Sequence, residues 1–333
     1  MPKLTSLSLH AMRTNLRDFN FPTLTRFIFD TGTSISVLDL TSFFERCPSL
    51  EFIQISLSYM PQLPTPPPPR KRASLAALQE LRLDQTACTI GLLDHLILPK
   101  CTEMMLKGTF TGEALDSLGY PTPQIHPSSI DHLPVTKEIT KAVAMPNSCT
   151  FSGPNGHLSF WCFQENREAF DAEFFTLFSP ISVLQIRELW IGQKTEPSFG
   201  RKRRPWEQTV AGVHGAFEVL TKVEDLTIVS CETEPFFTAL GAVVGGGVLL
   251  PGLQRLTVYD GCGDLDVPAL TRCAKARKEH FQPLGEVTVV WEKDPGADAV
   301  QEVESLREFV GELIHRVGEA PKLVWRGAKC DGW

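Results

Sequence analysis

Residues 250–262, Leu-Pro-Gly-Leu-Gln-Arg-Leu-Thr-Val-Tyr-Asp-Gly-Cys, contain the pattern that decides the fold. Apolar side chains stand at positions 1, 4 and 6 of Leu253-x-x-Leu256-x-Val258, with mostly polar side chains between them. This alternation predicts a short β-strand with one buried face. Pro251 precedes the strand, and proline ends a helix and favours an extended backbone. The stretch therefore predicts a boundary between a helix and a half-buried strand.

The same pattern recurs along the chain and defines a repeat. Most intervals between its first positions are 20 to 37 residues, the length of one supersecondary unit, and one interval is 85 residues. The first positions are Leu4, Leu24, Leu50, Leu78, Cys101, Ile186, Val223, Leu253 and Leu284.

Helix-like apolar segments precede several of these strands, as in residues 37–55, 234–258 and 269–290. The alternation of helix and strand predicts an α/β protein. A strand of this kind cannot bury its inner face alone, so we expect a leucine-rich-repeat solenoid with parallel strands on the concave side and helices on the convex side. A doubly wound α/β domain is the alternative, but its strands are typically continuous apolar runs.

Three segments carry a family resemblance: CPSLEFIQI (47–55), VEDLTIVSC (223–231) and LPGLQRLTVYDGC (250–262). They resemble irregular, intracellular leucine-rich repeats, and in particular the repeat region of fungal, basidiomycete-type F-box proteins. Cys231 stands at position 9 of its unit, where such repeats carry Asn or Cys. The resemblance implies the substrate-recognition arm of a ubiquitin-ligase adaptor. The F-box that docks to Skp and cullin would lie upstream of Leu4, so the resemblance assigns docking to no residue of this sequence.

We expect one irregular repeat domain over 1–333, with two segments that depart from the pattern. The Pro-rich basic segment 61–74 predicts a solvent-exposed loop, with a polyproline ligand for an SH3-type domain as the alternative. Residues 121–163 predict an insertion or degenerate repeats with a β-hairpin, whose turn is the Gly-Pro-Asn-Gly of 153–156.

The C-terminal region predicts the end of the repeat array. Apolar residues at helical spacing predict a helix over 298–317, and with a strand near Leu323 it would form a cap over 298–327. The basic cluster of 200–206 is a candidate nuclear localisation signal or an exposed loop.

Composition excludes several functional classes. A net charge of −7 argues against a generally basic nucleic-acid binder, and nine cysteines without a C-x-x-C pair indicate neither a disulfide framework nor a zinc ribbon. No secretory leader or membrane-spanning stretch is predicted. We therefore expect a cytoplasmic or nuclear monomer that contacts neither nucleic acid nor membrane.

The common sequence motifs for catalysis and cofactor binding are absent. The sequence contains no G-x-x-x-x-G-K-[ST] loop and no G-x-S-x-G nucleophile elbow, and its eight histidines lack metal-ligand spacing. We expect no catalytic residue, no cofactor, no metal and no enzymatic activity.

The candidate site is the outer face of the strands. If positions 1, 4 and 6 point inward, positions 3, 5 and 7 line the concave face, where we expect a protein partner. Trp190 and Tyr259 are aromatic exceptions on a mostly polar face, and aromatic residues are enriched at interfaces. The candidate partner-binding residues are Arg26, Asp30, Glu80, Arg82, Asp84, Lys107, Glu188, Trp190, Asp225, Arg255 and Tyr259, with Glu103, Thr227 and Thr257 on the same face.

The sequence therefore favours a non-enzymatic protein–protein interaction module. A small-molecule or effector receptor with a ligand pocket on the same concave face is the first alternative. An α/β enzyme whose site carries no known motif is the second.

Overall fold

The computed structural model describes residues 3–10, 16–31, 35–57, 72–84, 92–108, 133–145, 148–162, 185–192, 209–229, 233–260 and 265–318. Five α-helices and seventeen β-strands lie within these residues, which confirms the α/β class. The strands are β1 (Ser6–His10), β2 (Arg26–Thr31), β3 (Phe52–Leu57), β4 (Ala73–Ser74), β5 (Glu80–Asp84), β6 (Leu96–Ile97), β7 (Glu103–Gly108), β8 (Lys141–Met145), β9 (Ser148–Gly153), β10 (Gly156–Cys162), β11 (Glu188–Gly192), β12 (Asp225–Val229), β13 (Val243–Val244), β14 (Gly247–Val248), β15 (Arg255–Asp260), β16 (Glu286–Trp291) and β17 (Glu312–Val317).

The helices are short, and three of them begin at a side chain that caps the first turn. Ser36, Thr209 and Asp266 accept hydrogen bonds from the backbone N–H groups of Leu38, Gly212 and Ala269. Such caps satisfy N–H groups that have no partner within the helix. The helices are α1 (Val37–Glu45), α2 (Val210–Val219), α3 (Glu234–Gly241), α4 (Val267–Glu279) and α5 (Gly296–Glu304), and 3-10 turns lie at Leu16–Asp18, Pro134–Thr136 and Ser305–Glu308.

The chain forms two compact units. Unit 1 contains the described residues of Met1–Ile139 and Asn147–Glu165, and unit 2 contains those of Thr140–Pro146 and Val183–Trp333. A single domain over 1–333 stays a prediction.

Unit 1 contains a sheet with the order β1-β2-β3-β5-β7-β10-β9. All neighbours are parallel except β9 and β10, which form an antiparallel hairpin. The hairpin is the one that the Gly-Pro-Asn-Gly turn predicts, and β10 continues the sheet because it pairs in parallel with β7. β4 and β6 form a separate parallel pair.

Unit 2 contains six parallel strands in the order β8-β11-β12-β15-β16-β17, which is also their order along the chain. Helices α2, α3, α4 and α5 lie between successive strands in sequence. A short antiparallel hairpin, β13–β14, follows α3.

A proline turn precedes four of the strands, and it accounts for four of the 25 prolines in the sequence. The motif is an apolar residue, proline, any residue and the first apolar residue of the repeat, as in Cys47-Pro48-Ser49-Leu50. In each motif the last N–H donates to the first carbonyl: Leu24 to Phe21, Leu50 to Cys47, Cys101 to Leu98 and Leu253 to Leu250. Proline favours the second position of a β-turn because its φ angle already matches that conformation.

A backbone contact repeats where each strand begins. The carbonyl of position 2 in one strand accepts hydrogen bonds from the N–H groups of positions 2 and 3 in the next. Thr25 and Arg26 donate to Thr5, Glu51 and Phe52 to Thr25, and Gln254 and Arg255 to Glu224. Strands with unrelated side chains therefore enter their sheet with the same register.

The predicted core positions are buried in all copies of the repeat but the first. Positions 1, 4 and 6 are at most 2% exposed from Leu24 onward, for example at Leu50, Ile53 and Ile55. The first copy differs, since Leu4 is 41% exposed. Phe27 packs against Phe43 and Phe44 of α1, with ring centroids 4.8 and 6.2 Å apart, so α1 covers the inner face of β2.

The prediction of a helix over 298–317 is wrong for the second half of that range. α5 ends at Glu304, a 3-10 turn follows, and residues 312–317 form β17. Gly311, the residue before this strand, lies so close to the start of β16 that a Cβ there would be 2.6 Å from the carbonyl oxygen of Gly285. Val317, the last apolar residue of the predicted helix, is 58% exposed. Pairing with β16 therefore overrides the helical spacing of the apolar residues.

Several predictions fall on residues outside the described ranges. They are most of the 61–74 loop, the 200–206 basic cluster, Cys231, and the strand near Leu323.

Candidate interaction face

We define the strand face of each unit as positions 3, 5 and 7 of its main strands, since these side chains alternate with the buried ones. Strand pairing aligns equivalent positions, so side chains distant in sequence form rows across the sheet. The face of unit 1 contains Arg26, Asp30, Glu80, Arg82, Asp84, Glu103 and Lys107, and the face of unit 2 contains Glu188, Trp190, Asp225, Thr227, Arg255, Thr257 and Tyr259.

Phe52 lies at the centre of the unit 1 face, between two arginines. The guanidinium carbon of Arg26 is 3.9 Å from the centroid of the Phe52 ring, and that of Arg82 is 5.5 Å from it. Arg82 Nε also donates to Glu80 Oε1 at 2.5 Å. Guanidinium groups over an aromatic face interact favourably with its electron density and keep outward N–H donors. This cluster can accept a carboxylate or a carbonyl from a bound segment.

Acidic and basic side chains pair at position 7 of the same unit. Lys107 Nζ lies 3.6 Å from Asp84 Oδ2, and His10 Nδ1 lies 3.5 Å from Asp30 Oδ2. Burial raises the pKa of Asp84 above its usual value, the charge of Asp30 adds to this rise, and Lys107 opposes it. Partly exposed pairs of this kind each contribute about 0–1 kcal/mol to stability. These pairs therefore add little to the stability of the fold.

Trp190 is the aromatic centre of the unit 2 face. Its Nε1 donates to Glu188 Oε1 at 2.6 Å, and Lys141 Nζ lies 4.8 Å from its ring centroid. Lys141 Nζ also donates to the same Glu188 oxygen at 2.6 Å. The side chain is half-buried, with its orientation set by a carboxylate and a cation.

Asp225 and Arg255 form the second charged pair of unit 2. Arg255 Nη2 donates to Asp225 Oδ2 at 2.5 Å, and this bond raises the pKa of Arg255. Asp225 Oδ1 is buried and has no hydrogen-bond partner among the described residues. The pair therefore leaves one carboxylate oxygen buried without a donor.

The centre of the unit 2 face is less accessible than the alternation predicts. Thr227 and Thr288 are only 8% and 6% exposed, although they occupy outward position 5, and Tyr259 is half-buried. Neighbouring longer side chains account for this, because residues on one face of adjacent strands lie about 5 Å apart.

Sequence reasoning missed Phe52 and Lys141, for different reasons. Phe52 occupies position 3 of the repeat unit that begins at Leu50, so the repeat pattern already places it on the face. Lys141 belongs to a copy of the repeat whose core positions 4 and 6 are Ala142 and Ala144, and this copy is visible only when alanine is accepted there.

Candidate metal sites and membrane spans were sought in the part of the chain that the structure describes. No group of three or more His, Cys, Asp or Glu side chains there could hold a metal ion. None of the helices described above is long and apolar enough to cross a membrane.

Comparison with known proteins identifies no family for this chain. Neither the known protein-family models nor the curated proteins contain a match to it.

Proposed function

We propose that this protein is a non-enzymatic leucine-rich-repeat interaction protein that binds a protein partner on its strand faces. The partner is held by the longer side chains of those faces, above all Arg26, Phe52 and Arg82 in unit 1, and Trp190 and Arg255 in unit 2. The arginine–phenylalanine–arginine cluster is the observation that carries the proposal.

Three features support the leucine-rich-repeat solenoid as the scaffold. Turn, hydrogen-bond register and core positions recur from strand to strand. In unit 2, the parallel strands lie in the sheet in the same order as in the sequence. A doubly wound sheet instead reverses its strand order at one point, and ligands bind there. The described strands of unit 2 contain no such reversal.

The chemistry of the faces supports a protein partner. Aromatic and arginine side chains dominate the binding energy of many interfaces because they bury a large area and still form directional hydrogen bonds. Phe52 and Trp190 are each oriented by neighbouring charges, so little side-chain entropy is lost when a partner binds.

The resemblance to F-box proteins suggests the biological setting. On this proposal the strand faces recruit a substrate, and contact with Skp and cullin would be made by an F-box upstream of the repeats. The protein would then act as the recognition arm of a ubiquitin ligase.

Quantitative affinity purification tests the proposal. The variant Arg82→Glu/Arg255→Glu reverses one charge on each strand face, and we expect a defined set of proteins bound by the wild type to fall at least about tenfold, the effect of losing one strong contact. Trp190→Ala should weaken the same set.

The matched control is Lys100→Glu/Lys222→Glu, which changes the net charge equally at two exposed turns before strands. It should retain the whole set. If the face variant and the turn variant retain the same proteins, and both melt like the wild type, the strand faces are not the binding surface.

A further inference from the structure

Phe281 is the most exposed of the exposed large apolar side chains in the described residues, at 92%. It follows α4, where its N–H donates to the carbonyl of Lys278 and the N–H of Gln282 donates to that of Arg277. These two bonds form a Schellman motif, which places Phe281 at the position where helices usually carry glycine. Its φ angle is +59°, in the left-handed region that a bulky side chain disfavours.

Side-chain packing does not offset this backbone strain at Phe281. It makes no ring contact with any side chain of the described residues, and its surface is open to solvent. Strained residues that persist without a folding benefit often serve a binding role. An exposed phenylalanine at a glycine position is therefore a candidate anchor.

A second apolar element lies beside it. Val243 and Val244 of the β13–β14 hairpin are 49% and 42% exposed. Gly245 and Gly246 at its tip have φ angles of +60° and +90°, and a Cβ added at either would meet nothing within 4 Å. The hairpin tip thus projects into open space. We call Phe281, Val243 and Val244 the apolar tip.

The hairpin and the end of α4 are held together. Arg277 donates hydrogen bonds to the carbonyls of Leu249 and Leu250, where the chain leaves the hairpin. A Cβ at Gly247 would lie 4.0 Å from the Nε2 atom of Gln282, the residue after Phe281. The hairpin and the turn that carries Phe281 are therefore neighbours in unit 2.

The charge next to the apolar tip is unusual for this acidic protein. Among the five helices described above, α4 alone contains Lys or Arg. Arg272, Lys275 and Lys278 are exposed, and the one acidic residue of the helix, Glu279, lies 4.0 Å from Lys275. Three exposed cations and one anion leave a charge of +2 on this helix surface, whereas the whole chain carries −7.

We propose that the apolar tip inserts into the interfacial region of an anionic lipid bilayer, with Arg272 and Lys275 facing the headgroups. The hairpin lies within Pro235–Pro251, a stretch without any charged residue, so no ionised group has to enter the interface with it. A projecting apolar tip next to exposed cations fits a soft anionic surface, where burial of apolar side chains and attraction to acidic lipids add. This proposal replaces the expectation of no membrane contact, and it is independent of the strand-face partner.

Co-sedimentation with vesicles tests it, using phosphatidylcholine vesicles with and without phosphatidylserine. The full chain should bind the phosphatidylserine vesicles reversibly and lose that binding at high salt. Phe281→Gly should reduce the partition coefficient about tenfold to a hundredfold, because the phenylalanine ring no longer enters the interface. Glycine suits the backbone at this position, so the variant should melt no lower than the wild type.

Two further variants separate the contribution of the hairpin valines to vesicle binding from that of the cations of α4. Val243→Ser/Val244→Ser should also reduce binding, and Arg272→Glu/Lys275→Glu should abolish the preference for phosphatidylserine. The matched control is Leu38→Ser, which removes a side chain that is 54% exposed on α1 in unit 1, and it should bind like the wild type.

Absence of vesicle binding by the full chain would overturn the proposal, as would equal binding by Phe281→Gly and the wild type. Concentration-dependent self-association without vesicles, abolished by Phe281→Gly, would overturn it in favour of a second copy of the chain as the occupant of the apolar tip.

Discussion

Arg277 Nη1 donates a hydrogen bond of 2.7 Å to the carbonyl oxygen of Leu249, from a side chain that has no exposed surface. The same guanidinium group donates to the carbonyls of Leu250 at 3.0 Å and Leu240 at 3.4 Å, and no carboxylate of the described residues pairs with it. Burial lowers the pKa of Arg277, because the charged form loses water and gains only carbonyl dipoles. A buried cation thus joins the end of α3 and the β13–β14 hairpin to α4.

Arg277→Met tests this role. The substitution keeps much of the side-chain volume and removes the guanidinium donor from three carbonyls, of which Leu250 alone is known to keep a backbone donor, so we expect a loss of about 2–4 kcal/mol in the free energy of unfolding. Urea unfolding followed by circular dichroism measures it. Arg272→Met, on the exposed side of the same helix, should stay within about 0.5 kcal/mol of the wild type. Equal effects of the two substitutions would refute the structural role of Arg277.

Gly156→Ala should disrupt the junction between the β9–β10 hairpin and β7. Gly156 has a φ angle of +129°, and a Cβ there would lie 2.0 Å from the carbonyl oxygen of Thr102. Because Thr102 is held at this distance by the N–H of His157, we expect a loss of about 3 kcal/mol or more, from steric overlap added to backbone strain.

Gly246→Ala separates the two causes. Its φ angle is +90°, but the space around it is open, so it should show only the strain of a left-handed residue, about 1–2 kcal/mol. Thermal unfolding of both variants gives the comparison, and a Gly156→Ala variant as stable as Gly246→Ala would show that the backbone of Thr102 yields.

Cys101 and Cys273 should resist alkylation in the folded protein. Burial raises the pKa of each thiol to about 12, so at pH 8 roughly one molecule in ten thousand carries a thiolate there. Iodoacetamide labelling mapped by mass spectrometry should modify both residues in urea and neither in buffer. Rapid native labelling of either one would place it in an accessible conformation.

Glu304 lies near the C-terminal end of the described chain. We expect its carboxyl group to make the stability of the fold depend on pH. Hydrogen bonds from Arg307 and then from His315, whose Nε2 lies 2.8 Å from Glu304 Oε1, lower the pKa of this carboxyl group. A lowered folded-state pKa adds stability above the ordinary glutamate pKa of about 4.3, and that stability is lost as the pH falls through the folded value.

Melting temperatures of the wild type and Glu304→Gln between pH 7 and pH 3 check this. The variant should melt lower at pH 7, and the difference should shrink as the pH falls below about 4.3. Arg307→Gln, which removes the main cause of the shift, should make the loss of stability between pH 7 and pH 3 smaller than in the wild type. A gap between wild type and Glu304→Gln that is constant with pH would contradict the assignment.

His315 illustrates why part of the fold escapes sequence reasoning. β17 is a copy of the repeat, Val310-x-x-Leu313-x-His315, in which a histidine occupies an apolar position. Its ring packs 5.7 Å from Trp291 and bonds to Glu304, so tertiary neighbours satisfy a polar group that the pattern excludes. The apolar residues of this segment also fit a helix, and periodicity alone cannot choose between the two for a short run.

The candidate faces were likewise predictable from the sequence only in part. Arg82, Trp190 and Arg255 could be placed on the face by counting positions from the apolar residues, because alternation along a strand is a local property. The contacts between face residues could not be predicted, since Arg26, Phe52 and Arg82 come from three strands and meet only through register.

By itself, then, the sequence determined the α/β class, the buried face of each recognisable strand and the hairpin at the Gly-Pro-Asn-Gly turn, because strand alternation and turn chemistry act over a few residues. Tertiary structure alone decided that residues 312–317 are a strand, that Thr227 is buried on an outward position, and that Gly247 of the β13–β14 hairpin lies near Gln282, the residue after Phe281. These outcomes depend on hydrogen bonds and packing between segments distant in the chain, and no local pattern encodes such contacts.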